Sequence, residues 1–163
     1  MKALLIVDVQ EGLTKKNELY NDSLFIDTVD YAVKKCRMKG QLVVFIQHNN
    51  EQLLNGTNDW EIDKRITKQE GDVLLQKQHG NAFEKTNLRS ILVNKGISEI
   101  IVCGLVTHGC IKATCIGGLQ EGFKVSLLKN GHTNWSNNAA TRITSVEAEL
   151  AQMGINLIDK QKL

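Results

Sequence analysis

Six short aliphatic runs recur along this chain of 163 residues, at positions 3–7, 42–47, 72–76, 99–103, 124–128 and 155–158. They are rich in Val, Ile and Leu and lack the apolar–polar alternation of a half-exposed strand. Runs of this kind suit strands buried on both faces of a parallel sheet. Helical periodicity fills the intervals. Phe25, Val29, Ala32, Val33 and Cys36 fall on one stripe, and Gly40 follows as a stop signal. Thr86 stands as a cap before Leu88, Ile91 and Leu92, with Gly96 beyond; the stretch 111–121 ends at Gly122. Positions 138–153 put Ile143, Val146, Leu150 and Met153 on one face before Gly154. Repeated strand–helix–strand units imply an α/β fold: a three-layer, doubly wound, six-stranded, mainly parallel sheet with helices on both faces, forming one domain over 1–163.

Composition removes several classes of function. Twenty Lys and Arg against 18 Asp and Glu leave a net charge of +2, which offers no electrostatic footprint for nucleic acid. Asp8 interrupts the first apolar run before it reaches the length of a signal-peptide core, and no run approaches a membrane span. A cytoplasmic chain with no membrane partner is expected. Cys36, Cys103 and Cys115 read as small packed hydrophobes, and no C-x-x-C pair or disulfide framework is present. G-x-G-x-x-G, G-x-x-x-x-G-K-[ST] and G-x-S-x-G are all missing, so no nucleotide cofactor or serine nucleophile is expected. The four histidines show no H-x-x-x-H pairing, so no metal is expected either. Gly117 and Gly118, inside a helical stretch, suggest close packing. One segment, 49–71, is polar and aperiodic. A connection that long is commonly functional, and it reads as a loop over a site with Trp60 as a wall.

In open α/β sheets ligands bind beyond the carboxyl ends of the strands. Those ends carry Asp8, His48, Lys77 and, after the turn 105–109, Cys110 at a helix start. A carboxylate, a lysine and a thiol gathered on one edge can do nucleophilic chemistry. A free thiol, with pKa ~8.5, is mostly protonated at neutral pH. A helix N-terminus and a nearby lysine favour the thiolate, and a carboxylate can take the proton. Backbone N–H groups there can hold an oxyanion.

Four pieces then carry a resemblance. They are Leu4-Leu5-Ile6-Val7-Asp8-Val9-Gln10; Lys77-x-x-x-Asn81-Ala82-Phe83-x-x-Thr86-x-Leu88; Gly104-Leu105-Val106-Thr107-His108-Gly109-Cys110-Ile111-x-x-Thr114; and Gly122-Phe123-Lys124-Val125. In this order and spacing, across most of the chain, they resemble the isochorismatase-like cysteine hydrolases, which include nicotinamidases and ureidoacrylate amidase. The resemblance implies a catalytic triad of Asp8, Lys77 and Cys110. It also implies an oxyanion hole from the N–H groups of Val106 and Cys110, a cis peptide at Leu105–Val106, and a homodimer or larger homo-oligomer. The implied reaction is metal-independent hydrolysis of a C–N bond in a small amide or ureide through a Cys110 thioester. Gln10, His48, Trp60, His79, Phe83, His108 and Trp135 are the candidate substrate-binding residues.

The chain also departs from the family pattern. His48-Asn49-Asn50 lacks the D-x-H spacing of the nicotinamidase metal site, which argues against a metal. Gly109 is smaller than the residue many relatives carry before the nucleophile. The segment 129–133 replaces a common Asp-Ala pair after the fifth strand. Two readings from other classes stand beside the hydrolase: a catalytically inactive binding or scaffold protein of the same fold, and a thiol redox sensor built on Cys110.

Overall fold

A computed structural model describes residues 1–163. Six strands form one sheet: β1 (Lys2–Val7), β2 (Leu42–His48), β3 (Val73–Lys77), β4 (Glu99–Leu105), β5 (Lys124–Thr133) and β6 (Asn156–Ile158). Their order is β3-β2-β1-β4-β5-β6, and every adjacent pair is parallel. The chain therefore winds outward from β1 to β3, then returns to lay β4 against the other side of β1. The point where the winding reverses lies between β1 and β4, where ligands collect in folds of this kind.

The two faces of β1 are both apolar and both covered, which explains why its sequence shows no alternation. Leu4 and Ile6 join a core built with Phe25, Val29 and Val33 of α2 (Asp22–Met38). Ala3, Leu5 and Val7 join a second core under three further helices. These are α3 (Leu88–Asn94), α4 (Lys112–Gln120) and α5 (Ala139–Gln152), which contribute Leu88, Cys115 and Leu150 among others. Between β1 and α2 a single turn of helix, α1 (Glu11–Thr14), covers the top edge of the sheet. No helix is long and apolar enough to cross a membrane.

Two expectations need correction. The fifth strand does not stop at 128. A register irregularity opposite Val102 and Gly104 lets β5 resume pairing, with His132 beside Gly104 and Thr133 beside Leu105. The segment 129–133 is thus strand rather than loop. Thr86 does not occupy the cap position of α3, which falls to Asn87, although its hydroxyl accepts the Leu88 N–H at 3.3 Å. The segment 49–71 is pinned down. The Glu11 N–H donates to the Glu61 carbonyl at 2.8 Å, the Asp63 N–H to the Val9 carbonyl at 2.9 Å, and the Lys64 N–H to the Glu11 side chain at 2.8 Å.

Asp63 is the anchor of that segment. Its fully buried carboxylate accepts the Thr14 hydroxyl at 2.6 Å and the Arg65 guanidinium at 2.8 Å. Burial works to raise its pKa, but the bonds from Arg65 and Thr14 outweigh this and hold it at about 2. The depressed value stabilises the fold above the ordinary carboxylate range, and the contribution fades as pH falls toward 2. Asp63→Asn should therefore flatten the loss of urea resistance between pH 4 and 2; an unchanged acid slope would contradict this assignment.

Gly104 sits across from Val7 where β1 and β4 meet, with φ of +124°. A Cβ there would lie 1.9 Å from the Val7 carbonyl oxygen, whereas one on Gly122, also left-handed, meets nothing within 4 Å. Gly122→Ala should cost only the backbone penalty of about 1–2 kcal/mol. Gly104→Ala should prevent the two strands from pairing and abolish a cooperative urea transition. Equal midpoints for the two variants would refute this account of the seam.

Candidate active site

Asp8 is the first residue beyond β1 and takes a left-handed backbone, φ 58°, tolerated by Asp better than by most residues. Its N–H donates to the Ile46 carbonyl at 2.9 Å, which fixes the strand end against β2. Lys77 closes β3, in register with His48 at the end of β2. To reach the switch point its side chain crosses over β2. Cys110 lies within a wide turn, Thr107–Ile111, that precedes α4; Gly109 breaks it with φ −113° and ψ −112°. The thiol thus stands ahead of the regular helix rather than at its first residue. The Thr107 hydroxyl bonds His132 Nδ1 at 3.0 Å, and His132 Nε2 meets Glu147 at 3.2 Å, tying the turn to β5 and α5.

The three strand ends converge on one ammonium. Lys77 Nζ, with no exposed side-chain surface, donates to Asp8 Oδ2 at 3.0 Å, to the His79 carbonyl at 3.1 Å and to Cys110 Sγ at 3.3 Å. It also lies 2.9 Å from His48 Nδ1. An ammonium has three protons, so four acceptors share them. The contact assigns His48 as the tautomer with a bare Nδ1. Burial, then the Lys77 charge, lowers its pKa, so the ring is neutral.

Burial pushes the Asp8 carboxyl up, and the Lys77 charge works against it. Asp8 Oδ1 is buried without a formed hydrogen bond. Cys110 departs from the sequence expectation. Burial, then the Asp8 charge, pushes its pKa to about 11 despite Lys77. Desolvation and the adjacent carboxylate overcome the lysine, so the resting site holds a neutral thiol beside an acceptor.

Asp8, His48 and Cys110 bring one potential metal-ligand atom each within 4.8 Å of one another. All three side chains contact the Lys77 ammonium, a fixed positive charge that a metal cation would meet at short range. The donor set fits a lysine better than a metal.

A cavity of about 160 Å³ opens onto these groups. Five of the candidates, Asp8, His48, Cys110, Val106 and Trp135, line it. Leu13, Asn50, Leu53 and Leu105, which sequence reasoning missed, complete the wall. Leu13 stands alone in a polar stretch and Leu53 belongs to a Leu-Leu pair in another, the one signal that would have found them. The Val106 N–H, beyond the cis Leu105–Val106 peptide, donates to no acceptor within the protein.

Five candidates lie off the cavity wall. Gln10 is fully buried and acts as a clasp: its amide donates to the His48 and Trp60 carbonyls and accepts the His48 N–H. Trp60 holds Asn49 through its indole N–H and offers its carbonyl to Gln10 and Gln47. Phe83 turns into the core and stacks on Phe123 with centroids 5.8 Å apart. His79 supplies its carbonyl rather than its ring, because β3 ends at Lys77 and side-chain alternation ends with it. His108 is exposed on the turn.

Cys110 is partly buried, whereas Cys36, Cys103 and Cys115 are buried and burial raises the pKa of each. Iodoacetamide should label Cys110 selectively, at a rate still rising with pH beyond 9. A plateau below pH 8 would contradict the neutral-thiol assignment.

Comparison with known proteins agrees with this architecture. Streptothricin hydrolase of Streptomyces noursei is 27% identical over 148 residues, covering 88% of this chain and 59% of that protein. This chain thus spans about three-fifths of that relative's length. Nicotinamidase 3 of Arabidopsis thaliana is 29% identical over 140 residues, covering 76% of this chain and 68% of its own. A crystal structure of an isochorismatase family protein matches with a TM-score of 0.91 at 25% identity, covering 96% of this chain and 97% of that one. The isochorismatase domain model matches residues 2–161, and the chain belongs to that family.

Proposed function

We propose that the chain is a metal-independent cysteine hydrolase that opens a C–N bond of a small amide or ureide through a thioester on Cys110. The observation that carries this is the buried Lys77 ammonium, held at 3.0 Å from Asp8 and 3.3 Å from the Cys110 sulfur. The names of the relatives support hydrolysis as the reaction class, and nicotinamidase supports an amide as the substrate.

The raised values of Asp8 and Cys110 make a workable pair. A carboxylate whose pKa burial has raised is a better base, and the thiol need ionise only as it attacks. The thiol proton passes to Asp8 while sulfur bonds to the carbonyl carbon and the π pair moves to oxygen. The Lys77 ammonium offsets the negative charge moving between carboxylate and sulfur. The unpaired Val106 N–H, with that of Cys110, receives the oxyanion. Collapse breaks the C–N bond, and Asp8 returns its proton to the departing nitrogen. Water then attacks the thioester, giving up a proton to Asp8, and releases the acid with the thiol restored. Amide and water thereby become acid and ammonia or amine.

The redox-sensor reading fits less well. The thiolate is the form that peroxide attacks, and a thiol at about 11 supplies little of it at neutral pH.

Ammonia release from a panel of small amides, with intact-mass detection of a Cys110 acyl adduct, tests the hydrolase reading. Cys110→Ala should fold and release no ammonia. Asp8→Asn should lower kcat about 10²–10⁴-fold. Undiminished ammonia release by Cys110→Ala would overturn the proposal.

A further inference from the structure

A second cavity adjoins the first. It measures about 400 Å³, and the two share four wall residues: Leu13, Asn50, Leu53 and Trp135. Beyond that shared wall the character changes. Inward lie Leu105, Val106 and the reacting groups; outward lie Lys16, Asn17, Gln52 and Asp59. The inner chamber alone falls short of the ~300–1,000 Å³ typical of small-molecule sites, so a larger ligand must extend outward.

The charges define what such a ligand carries. The inner chamber has no cation free for a carboxylate, because Lys77 already serves four acceptors. In the outer chamber Lys16 pairs with Asp59, so that pair presents no net charge. Asn17, Asn50 and Gln52 add amide groups that both donate and accept. Trp135 is 40% exposed, large for an indole, and borders both chambers.

We propose that the substrate is an elongated, uncharged amide. Its compact reacting end sits at Cys110, its apolar neck passes Leu13, Leu53 and Trp135, and its hydroxyl- or carboxamide-bearing tail lies in the outer chamber. The proposal rests on the hydrolase reading above, and its test separates the two.

Three probes alkylate Cys110 at pH 9: chloroacetamide, N-butylchloroacetamide and N-(4-hydroxybutyl)chloroacetamide. In each case the sulfur displaces chloride, a C–S bond replaces C–Cl, and the thiol proton goes to buffer. Intact mass gives the rate. The hydroxybutyl probe should label about tenfold faster than the other two at sub-saturating concentration, and Gln52→Trp, which fills the outer chamber, should erase that ratio. Equal rates for all three, an equally fast N-butyl probe, or an equally fast fourth probe, N-(3-carboxypropyl)chloroacetamide, would overturn the proposal. Hydrolysis of 4-hydroxybutanamide is followed separately. Tail-dependent labelling without hydrolysis of any amide retains the outer chamber and removes the hydrolase reading, while amide hydrolysis without tail preference does the reverse. Failure of every probe to reach Cys110 would overturn both.

Discussion

The site rests on one buried positive charge. Removing an ammonium from water costs several kcal/mol, and only well-placed partners offset that cost. Lys77 finds them at three strand termini: the Asp8 carboxylate beyond β1, the neutral His48 ring on β2, and the Cys110 sulfur after β4. Each partner is in turn shaped by the lysine. His48 must stay unprotonated to face it, and the proximity of Asp8 to Cys110 is tolerable because a cation lies between them. The same constraint reaches the backbone, since the left-handed turn at Asp8 and the side chain missing at Gly104 let β1 and β4 close on the charge.

The groups that meet the lysine were legible in the sequence for a physical reason. Parallel strands buried on both faces write themselves as continuous Val, Ile and Leu runs, and the polar residue ending each run marks the sheet edge. Asp8 announces itself in this way, whereas His48 and Lys77 each follow a glutamine that ends their run, and β3 is half-exposed at the sheet edge. Side chains set by hydrogen-bonded irregular structure give no such signal. Nothing local says that Gln10 clasps two carbonyls, or that Trp60 is held by Asn49 rather than facing the cavity. Phe83 is ambiguous in sequence, because an aromatic near a polar strand end suits a pocket or a core equally well, and its stacking on Phe123 places it in the core. The register irregularity in β5 was invisible for the same reason, being a property of pairing rather than of composition.

The ionisation of Cys110 shows how far a local rule carries. A turn before a helix and a neighbouring lysine both favour the thiolate, yet enclosure and an adjacent carboxylate outweigh them. The outcome is a site that holds its proton internally, between two groups whose affinities burial has raised together, rather than shedding it to solvent. On the hydrolase proposal, such an arrangement keeps the thiol masked until a carbonyl arrives.

The central position of β1 bears on how the chain is made. Until residues 99–105 have left the ribosome, β1 has only β2 on one side, and its other edge offers unpaired N–H and C=O groups flanked by apolar faces. A nascent chain of fewer than about a hundred residues therefore carries a sticky edge for the time its second half takes to emerge, several seconds at ordinary synthesis rates of ~5–20 residues per second. Arrival of β4 seals that edge and delivers Cys110 to the other strand ends in the same event.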